Sequence, residues 1–303
     1  MWADDLRALL DELAGDPGLW EPQAFAARTE ALDRLEFATL GYEDALAGTV
    51  DVPGREPVGG DGAALLYQAA GMTRRLVEAN RVLCETLRAA IRRGELRGDV
   101  ARRTFERLAA PSDVEAADMG GAYDVLDSLV SALLLDAEAP GATLPEAAER
   151  VAYQPTPARV VLELLDRVAL GPDDVFYDLG AGLGHVCVLV HLLSGAHARG
   201  VEIEPAYIRY ARQQASALRL TGVEFIEGDV RVVSLAGGAC YFLYTPFTGR
   251  TLAAALGRLA AEARGRAITV AAYGPCVAEV ARQPWLRRLD EDSTSGLAIF
   301  HSS

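Results

Sequence analysis

The chain has 303 residues, half of them hydrophobic, which is enough for two domains that each bury a core. It has no apolar run of the roughly 18 residues that a membrane span needs, and residues 1–6 lack the basic-then-apolar plan of a signal peptide, so no membrane is expected as a partner. The formal net charge of −14 disfavours a phosphate backbone, so no nucleic acid is expected and a cationic or neutral substrate is favoured.

Apolar residues at helical spacing predict that the first half of the chain is helical. The predicted helices span residues 4–13, 24–40, 63–93, 100–110 and 114–135, and the Gly- and Pro-rich residues 48–62 form a predicted loop. Residues 1–150 carry 28 acidic and 15 basic side chains, whereas residues 151–303 carry 15 and 14. We assign residues 1–150 to a separate all-helical domain. Two roles are open for it: scaffolding or homodimer formation, or a cap that shapes the substrate pocket.

A proline-rich lead-in joins the two halves. Residues 140–145 form a predicted linker, and the sequence Tyr-Gln-Pro-Thr-Pro follows at residues 153–157. An amphipathic helix is predicted over residues 158–170. Thr156 is expected to cap this helix, with Pro157 at its first position.

The most informative segment is a strand, a glycine turn and a helix in direct succession. The apolar strand 175–179 contains Asp178, and the turn Gly180-Ala-Gly-Leu-Gly184 leads to a helix that begins near His185. Glycines allow a sharp turn and a close approach of a ligand, and a helix N-terminus adds unpaired amides. A dinucleotide motif needs its third glycine where this chain has His185, and Asp178 would repel a pyrophosphate. The pattern favours a cationic nucleotide-type ligand, although a glycine turn without ligand and a surface position for His185 are open alternatives.

Three further strands end in polar or aromatic residues. Strand 198–203 ends at Glu202, which lies roughly where a ribose-binding carboxylate belongs, about 20 residues after the glycines. Strand 222–230 ends at Asp229, a candidate for the amino group of adenine. Strand 239–247 ends in Tyr-Thr-Pro-Phe at residues 244–247. Ligands of open α/β sheets bind at such strand ends, while a solvated Glu202 and a turn residue at Asp229 are the open alternatives.

The remaining chain completes a predicted α/β unit. Residues 250–263 form a predicted helix, residues 266–273 a fifth strand, and a short helix starts at Pro275. Residues 285–289 and 296–301 are predicted to form the last two strands. The predicted fold class is therefore α/β, with a separate N-terminal helical domain.

Residues 151–303 resemble the class I S-adenosylmethionine-dependent methyltransferases. The resemblance is carried by Asp178 with the glycine turn, by Glu202, by Asp229 and by residues 244–247, in the family's order and spacing. It implies a Rossmann-like fold with a seven-stranded mixed sheet and helices on both faces. It also implies S-adenosylmethionine as the cofactor and S-adenosylhomocysteine as its product. The expected cofactor-binding residues are Tyr153, Thr156, Asp178, Gly180, Ala181, Gly182, Gly184, His185, Glu202, Ile203, Asp229, Val230 and Tyr244.

The same resemblance bears on the acceptor. In methyltransferases with a similar lead-in, the segment around Tyr153 lies over the cofactor pocket, so Tyr153 is expected near the cofactor or the substrate, with a packed aromatic as the open alternative. Tyr244-Thr245 replaces the Asn/Asp-Pro start of the motif that orients the target nitrogen in amino-group methyltransferases, which leaves the acceptor atom open. Tyr244 and Tyr153 are the catalytic candidates, and no metal-binding pattern is present.

The expected acceptor is a small molecule or a protein, and N-methylation of an amine is favoured over O-methylation. The acidic-glycine motif and the helix before it also resemble, distantly, the non-SET histone lysine methyltransferases, whose substrate is not carried over. A catalytically inactive cofactor-binding protein is the first alternative, and intact glycines disfavour it. A dinucleotide-dependent oxidoreductase is the second, and Asp178 and His185 disfavour it.

The cysteines bear on the compartment. The four cysteines are scattered without metal-like or disulfide-like pairing; they are Cys84, Cys187, Cys240 and Cys276. Disulfides are rare in reducing compartments. The sequence therefore predicts a cytoplasmic protein.

Overall fold

The computed structural model describes residues 2–47, 61–110, 123–134, 139–145, 148–289 and 296–303. These residues form two compact units. One contains the described residues of 1–87 and 105–121, and the other contains those of 88–104 and 122–303. This division does not coincide with residue 150, so the assignment of residues 1–150 to one domain stays a prediction.

The first half of the chain is helical, as predicted. Its helices are α1 (Trp2–Gly15), α2 (Phe25–Ala47), α3 (Asp61–Arg92), α4 (Gly98–Ala109) and α5 (Val125–Leu134), with a short 3-10 helix at Pro17–Trp20. The loop predicted over residues 48–62 lies outside the described residues up to residue 60, and α3 begins at residue 61. The part of the predicted helix 114–135 before residue 123 also lies outside them. None of the described helices is long and apolar enough to cross a membrane.

Leucine-rich faces of α1 to α3 form the core of the first unit, together with a buried arginine. Leu6, Leu35 and Leu76 are almost fully buried in this cluster. Arg28 is 1% exposed, and its guanidinium donates to the carbonyl oxygens of Leu19 and Glu21. A buried guanidinium is tolerated because its N–H groups are hydrogen-bonded.

Helix α5 belongs to the second unit and holds the start of α6 (Ala158–Arg167). The Ala158 amide donates to the Asp127 carboxylate of α5 at 2.7 Å. Pro157 occupies the cap position of α6 and makes no side-chain capping bond, so the expected cap by Thr156, with Pro157 as the first helical residue, is wrong. The physical reason is that a carboxylate from another helix satisfies the free amide, as a local cap would have done.

The second unit is built around one seven-stranded mixed sheet. Its strands are β1 (Val175–Leu179), β2 (His197–Glu202), β3 (Val223–Glu227), β4 (Cys240–Tyr244), β5 (Thr269–Tyr273), β6 (Leu286–Arg288) and β7 (Ala298–Ser302). The order across the sheet is β3-β2-β1-β4-β5-β7-β6. Strands β1 to β5 pair in parallel, and β7 runs antiparallel to β5 and β6. The predicted fold class is confirmed.

The remaining helices are α7 (His185–Ser194), α8 (Pro205–Ala217), α9 (Gly249–Ala263) and α10 (Val277–Ala281). Helix α7 is apolar on all sides because the sheet and helices α5 and α6 pack around it. It starts immediately after the glycine turn that follows β1. The sheet changes strand order between β1 and β4, and a crevice at such a switch point is the usual ligand site of this architecture.

Candidate active site at the carboxyl edge of the sheet

A cavity of about 1170 Å³ opens at the carboxyl ends of the parallel strands. All the predicted cofactor-binding residues line it except Gly182 and Gly184. Small-molecule pockets usually occupy about 300–1,000 Å³, so this cavity lies slightly above the usual size range. The strand ends named from the sequence therefore converge on one site.

The glycine turn has a left-handed backbone and packs tightly. Gly180 has φ +95°, and a Cβ there would lie 2.1 Å from the Cβ of Pro246. Gly184 has φ +86°, and its Cβ would lie 2.4 Å from the ring of Phe225. Glycine is needed at both positions because other residues rarely adopt this backbone and because neighbouring atoms fill the space. Gly184 thus allows the turn to pack closely against Phe225 of β3, and it does not line the cavity.

Asp178 is 3% exposed and lines the cavity. Its full burial, and secondly the negative charge of Glu202, raise the pKa of this carboxyl to about 8. The unfolded carboxyl has a pKa of about 3.9, so between about pH 4 and pH 8 the folded protein binds the extra proton. The contribution of Asp178 to the free energy of unfolding therefore falls as the pH rises through that window.

Glu202 organises the backbone on one side of the cavity. One carboxylate oxygen accepts the Gly182 amide at 2.9 Å. The other accepts the amides of Ile203 at 2.7 Å and Glu204 at 2.9 Å. Glu202 therefore connects the glycine turn with the turn between β2 and α8 while it lines the cavity.

Asp229 lies at the end of β3 and is paired with an arginine that the sequence did not single out. Its carboxylate accepts two hydrogen bonds from the Arg231 guanidinium, at 2.9 and 2.5 Å, and one from the Arg231 amide. These hydrogen bonds from Arg231 lower the pKa of Asp229. Both side chains line the cavity, so an anionic and a cationic group lie side by side at this end.

Two buried polar atoms at the cavity have no hydrogen-bond partner among the described residues: the Tyr153 hydroxyl and Nδ1 of His185. His185 is 6% exposed, so it is not a surface residue, and its Nε2 lies 3.0 Å from the Thr156 carbonyl oxygen. Burial lowers the pKa of His185, which keeps the ring neutral. Buried polar atoms without a partner are costly in a folded protein, so both atoms point to a ligand.

The end of β4 combines an aromatic pair with a strained residue. Tyr244 packs against Tyr273 with ring centroids 4.7 Å apart, and burial raises its pKa. Thr245 has φ +38°; its hydroxyl donates to the Tyr273 carbonyl and accepts the Cys276 amide. Burial also raises the pKa of Tyr153, so both predicted catalytic tyrosines hold their protons at neutral pH and neither suits the role of a general base.

The cavity also contains residues that the sequence analysis missed. They are Leu144, Glu149, Arg150, Glu204, Tyr207, Arg231 and Tyr273. Glu149 precedes the lead-in and accepts the Thr251 amide and hydroxyl at the start of α9. Tyr207 packs against Tyr153 with ring centroids 5.4 Å apart. Their place in the sequence was the available signal. Each of these residues lies in the predicted linker, or a few residues from the lead-in or from a strand end.

Residues 146–225 match the family model described as "Histone methylation protein DOT1". Over 80 residues the chain is 35% identical to a "Histone-lysine N-methyltransferase, H3 lysine-79 specific" of Cryptococcus neoformans. That match covers 23% of this chain and 12% of the fungal protein, and a protein of a second strain matches equally. The chain thus spans a small part of the curated relatives that it matches.

Solved structures are similar over about half the chain. An RNA methyltransferase from Salinibacter ruber, in complex with S-adenosylhomocysteine, is 23% identical with a TM-score of 0.38, over 49% of this chain and 92% of that one. The human methyltransferase 10 domain containing protein is 13% identical with a TM-score of 0.40, over 58% and 95%.

The cytoplasmic location expected from the sequence is wrong. The finding that overturns it is the match of residues 146–225 to a family described as a histone methylation protein, because histones are not cytoplasmic substrates of that family. Scattered cysteines report only a reducing environment, and they do not distinguish the cytoplasm from the nucleus.

The glycine turn, the order of the seven strands and the family match agree with one another. Asp178 and Glu202 lie at the carboxyl ends of β1 and β2, and Asp229 follows the adjacent parallel strand β3; all three line the same cavity. The second unit therefore has the Rossmann-like sheet of the class I S-adenosylmethionine-dependent methyltransferases, and residues 146–225 within it are similar to DOT1.

Proposed function

We propose that this chain uses S-adenosylmethionine to methylate the side-chain amine of a lysine in a protein. The observation that carries the proposal is the cavity at the strand ends. Glu202 and Asp178 both line this cavity, and Glu202 accepts a hydrogen bond from the glycine turn. The DOT1 match over residues 146–225 supports a protein lysine as the acceptor. A small-molecule acceptor has no such support.

The side chains of the cavity fit this cofactor. S-adenosylmethionine has an ammonium and a sulfonium but no phosphate, and buried carboxyl groups suit a cation better than a pyrophosphate. Glu202 would accept the ribose hydroxyls, and Asp229 the amino group of adenine. The unpartnered Tyr153 hydroxyl and His185 Nδ1 would each find a partner in the bound molecule. When bound, the cofactor supplies an activated methyl group.

The chain's own contribution would be alignment and exclusion of water. Tyr153 lies over the glycine turn, and Tyr244 lies at the end of β4 against Tyr273. Aromatic faces attract an ammonium group by cation–π interaction, so these rings suit the entry of a lysine side chain. Because both tyrosines stay protonated, they would position the amine and leave its deprotonation to water.

The test is transfer of a labelled methyl group by the full chain. We expect label from S-adenosylmethionine to appear on intact basic proteins, and mass spectrometry should find it on lysine side chains. Free lysine and small amines at matched concentration serve as the comparison. Label found only on small molecules, on nucleic acid or on oxygen atoms would contradict the proposed acceptor.

A pH dependence of cofactor binding follows from Asp178. Its carboxyl is protonated below about pH 8, and a bound ammonium group would favour its ionised form, so binding should release a proton. We expect the affinity for S-adenosylhomocysteine to rise between pH 6 and pH 8. Calorimetry in buffers of different ionisation enthalpy would count the released protons.

Asp178→Asn provides the control for this experiment. The variant keeps the size of the side chain but does not titrate, so its affinity should be lower at pH 8 and nearly independent of pH. If the parent protein releases no proton on binding, or if the Asn variant releases as many as the parent, Asp178 does not face the ammonium group.

A further inference from the structure

A buried carboxylate two residues after Glu202 holds a separate segment of the chain. Glu204 is 2% exposed, and it accepts hydrogen bonds from the Thr143 hydroxyl at 2.5 Å and from the Leu144 amide at 2.9 Å. It also accepts the Ala206 amide at the start of α8. Burial alone would raise the pKa of Glu204, but the hydrogen bonds from Thr143 and Leu144 hold it at about 2.

The segment that Glu204 holds is part of the cavity wall. We call residues 142–145 the cover segment; Ala142 and Leu144 of this segment line the cavity. At its other end, the Arg150 guanidinium donates to the carbonyl of Pro145. Thr143 is exposed, so packing against the protein core contributes little to its position. Its hydroxyl is held by the hydrogen bond to Glu204.

The turn that contains Glu204 is shared with the ribose-binding candidate. The Glu202 carboxylate accepts the backbone amide of Glu204, and the Glu204 side chain accepts the cover segment. Glu202 and two residues of the cover segment, Ala142 and Leu144, line the same cavity. Two carboxylates in one turn thus join the cofactor site to part of its wall.

We propose that Glu204 is a positioning residue that holds the cover segment over the ribose end of the cavity and so slows the release of the cofactor. The inference rests on the proposed function, since it takes the ligand at Glu202 to be the cofactor. A wall held by charge-assisted hydrogen bonds opens less often than one held by neutral contacts. Segments that close over a ligand commonly set its rate of release.

The experiment compares release rates from the full chain. Glu204→Gln keeps the shape of the side chain but removes its charge and one of its acceptor atoms, and we expect S-adenosylhomocysteine to dissociate about tenfold faster. Thr143→Val removes the hydroxyl partner alone and should increase the rate by a smaller factor. Glu224→Gln is the matched control, because Glu224 is an exposed carboxylate on β3 that pairs with Arg199; its release rate should equal that of the parent.

Two readouts separate this role from a general loss of stability. In the Glu204→Gln and Thr143→Val variants, called the tether variants, hydrogen–deuterium exchange without ligand should rise in residues 139–145. It should stay unchanged in the β-sheet. The double variant Thr143→Val with Glu204→Gln should release the ligand no faster than Glu204→Gln alone, because the two residues share one hydrogen bond. Thr143 is exposed, so its replacement by valine should not impair folding. The Thr143→Val variant therefore keeps the test valid if Glu204→Gln folds poorly.

The outcomes distinguish this inference from the proposed function. If the parent binds S-adenosylhomocysteine and both tether variants release it at the parental rate, the role of Glu204 is refuted and the function stands. Fully additive effects in the double variant would refute it as well. If the parent does not bind S-adenosylhomocysteine at all, the proposed function itself is wrong.

Discussion

Replacing Glu202 with alanine should weaken the binding of S-adenosylhomocysteine by about 1–3 kcal/mol, which is the usual effect of losing hydrogen bonds to a charged group. The structure adds a reason beyond the expected ribose contact. The carboxylate accepts amides from Gly182, Ile203 and Glu204, so its loss also releases the glycine turn. Isothermal titration calorimetry on the full chain measures the effect.

Glu227→Ala is the matched control for Glu202→Ala. Glu227 pairs with Glu202 in register on the neighbouring strand β3, but it does not line the cavity. Its removal should leave the affinity unchanged. Equal affinities of the parent and of Glu202→Ala would remove Glu202 from the cofactor site, and a similar loss in both variants would indicate a general effect of charge.

Replacing Gly182 with valine should weaken cofactor binding at least as strongly, while the protein stays folded with a melting temperature lowered by the local strain. Gly182 has φ +52°, a backbone that costs a β-branched residue about 1–3 kcal/mol. A Cβ at this position would lie 2.4 Å from Cε2 of Tyr153, so the ring must move. The predicted effect therefore comes from displacement of Tyr153 as well as from the backbone.

Two comparisons test this explanation by calorimetry and thermal unfolding. Gly182→Ala should bind more weakly than the parent, and adding Tyr153→Ala should relieve the part of the loss that arises from the collision with the ring. Gly257→Ala is the control, because this helical glycine has open space around its Cα. A valine variant that binds as tightly as the parent would show that the turn does not form the binding loop.

Several features of the site were predictable from the sequence because they depend on local chemistry. An apolar strand, a carboxylate and three glycines determine a turn with a left-handed backbone, and the structure has this turn at Gly180, Gly182 and Gly184. Glu202 and Asp229 were found because parallel strands must end at the same edge of a sheet. The five parallel strands followed from apolar runs separated by helices, and the seven-stranded sheet followed from the resemblance to the class I methyltransferases.

The contacts between distant segments were not predictable. Asp127 caps α6 across 31 residues of chain, and the Arg102 guanidinium binds the Asp166 carboxylate at 2.5 and 2.7 Å. These contacts group residues 88–104 and 122–150 with the sheet, whereas composition and charge had placed the boundary at residue 150. A carboxylate on a helix has the same local sequence whether it faces solvent or a distant amide.

The sequence by itself determined the fold class, the glycine turn and the set of strand-end carboxylates, because each depends on residues that are adjacent in the chain. Only the tertiary structure decided what these groups do to one another. Burial raises the pKa of Asp178 to about 8, and the approach of Thr143 and Leu144 makes Glu204 a tether of the cavity wall. Burial and pairing depend on which segments meet in space, and that information is spread over the whole chain.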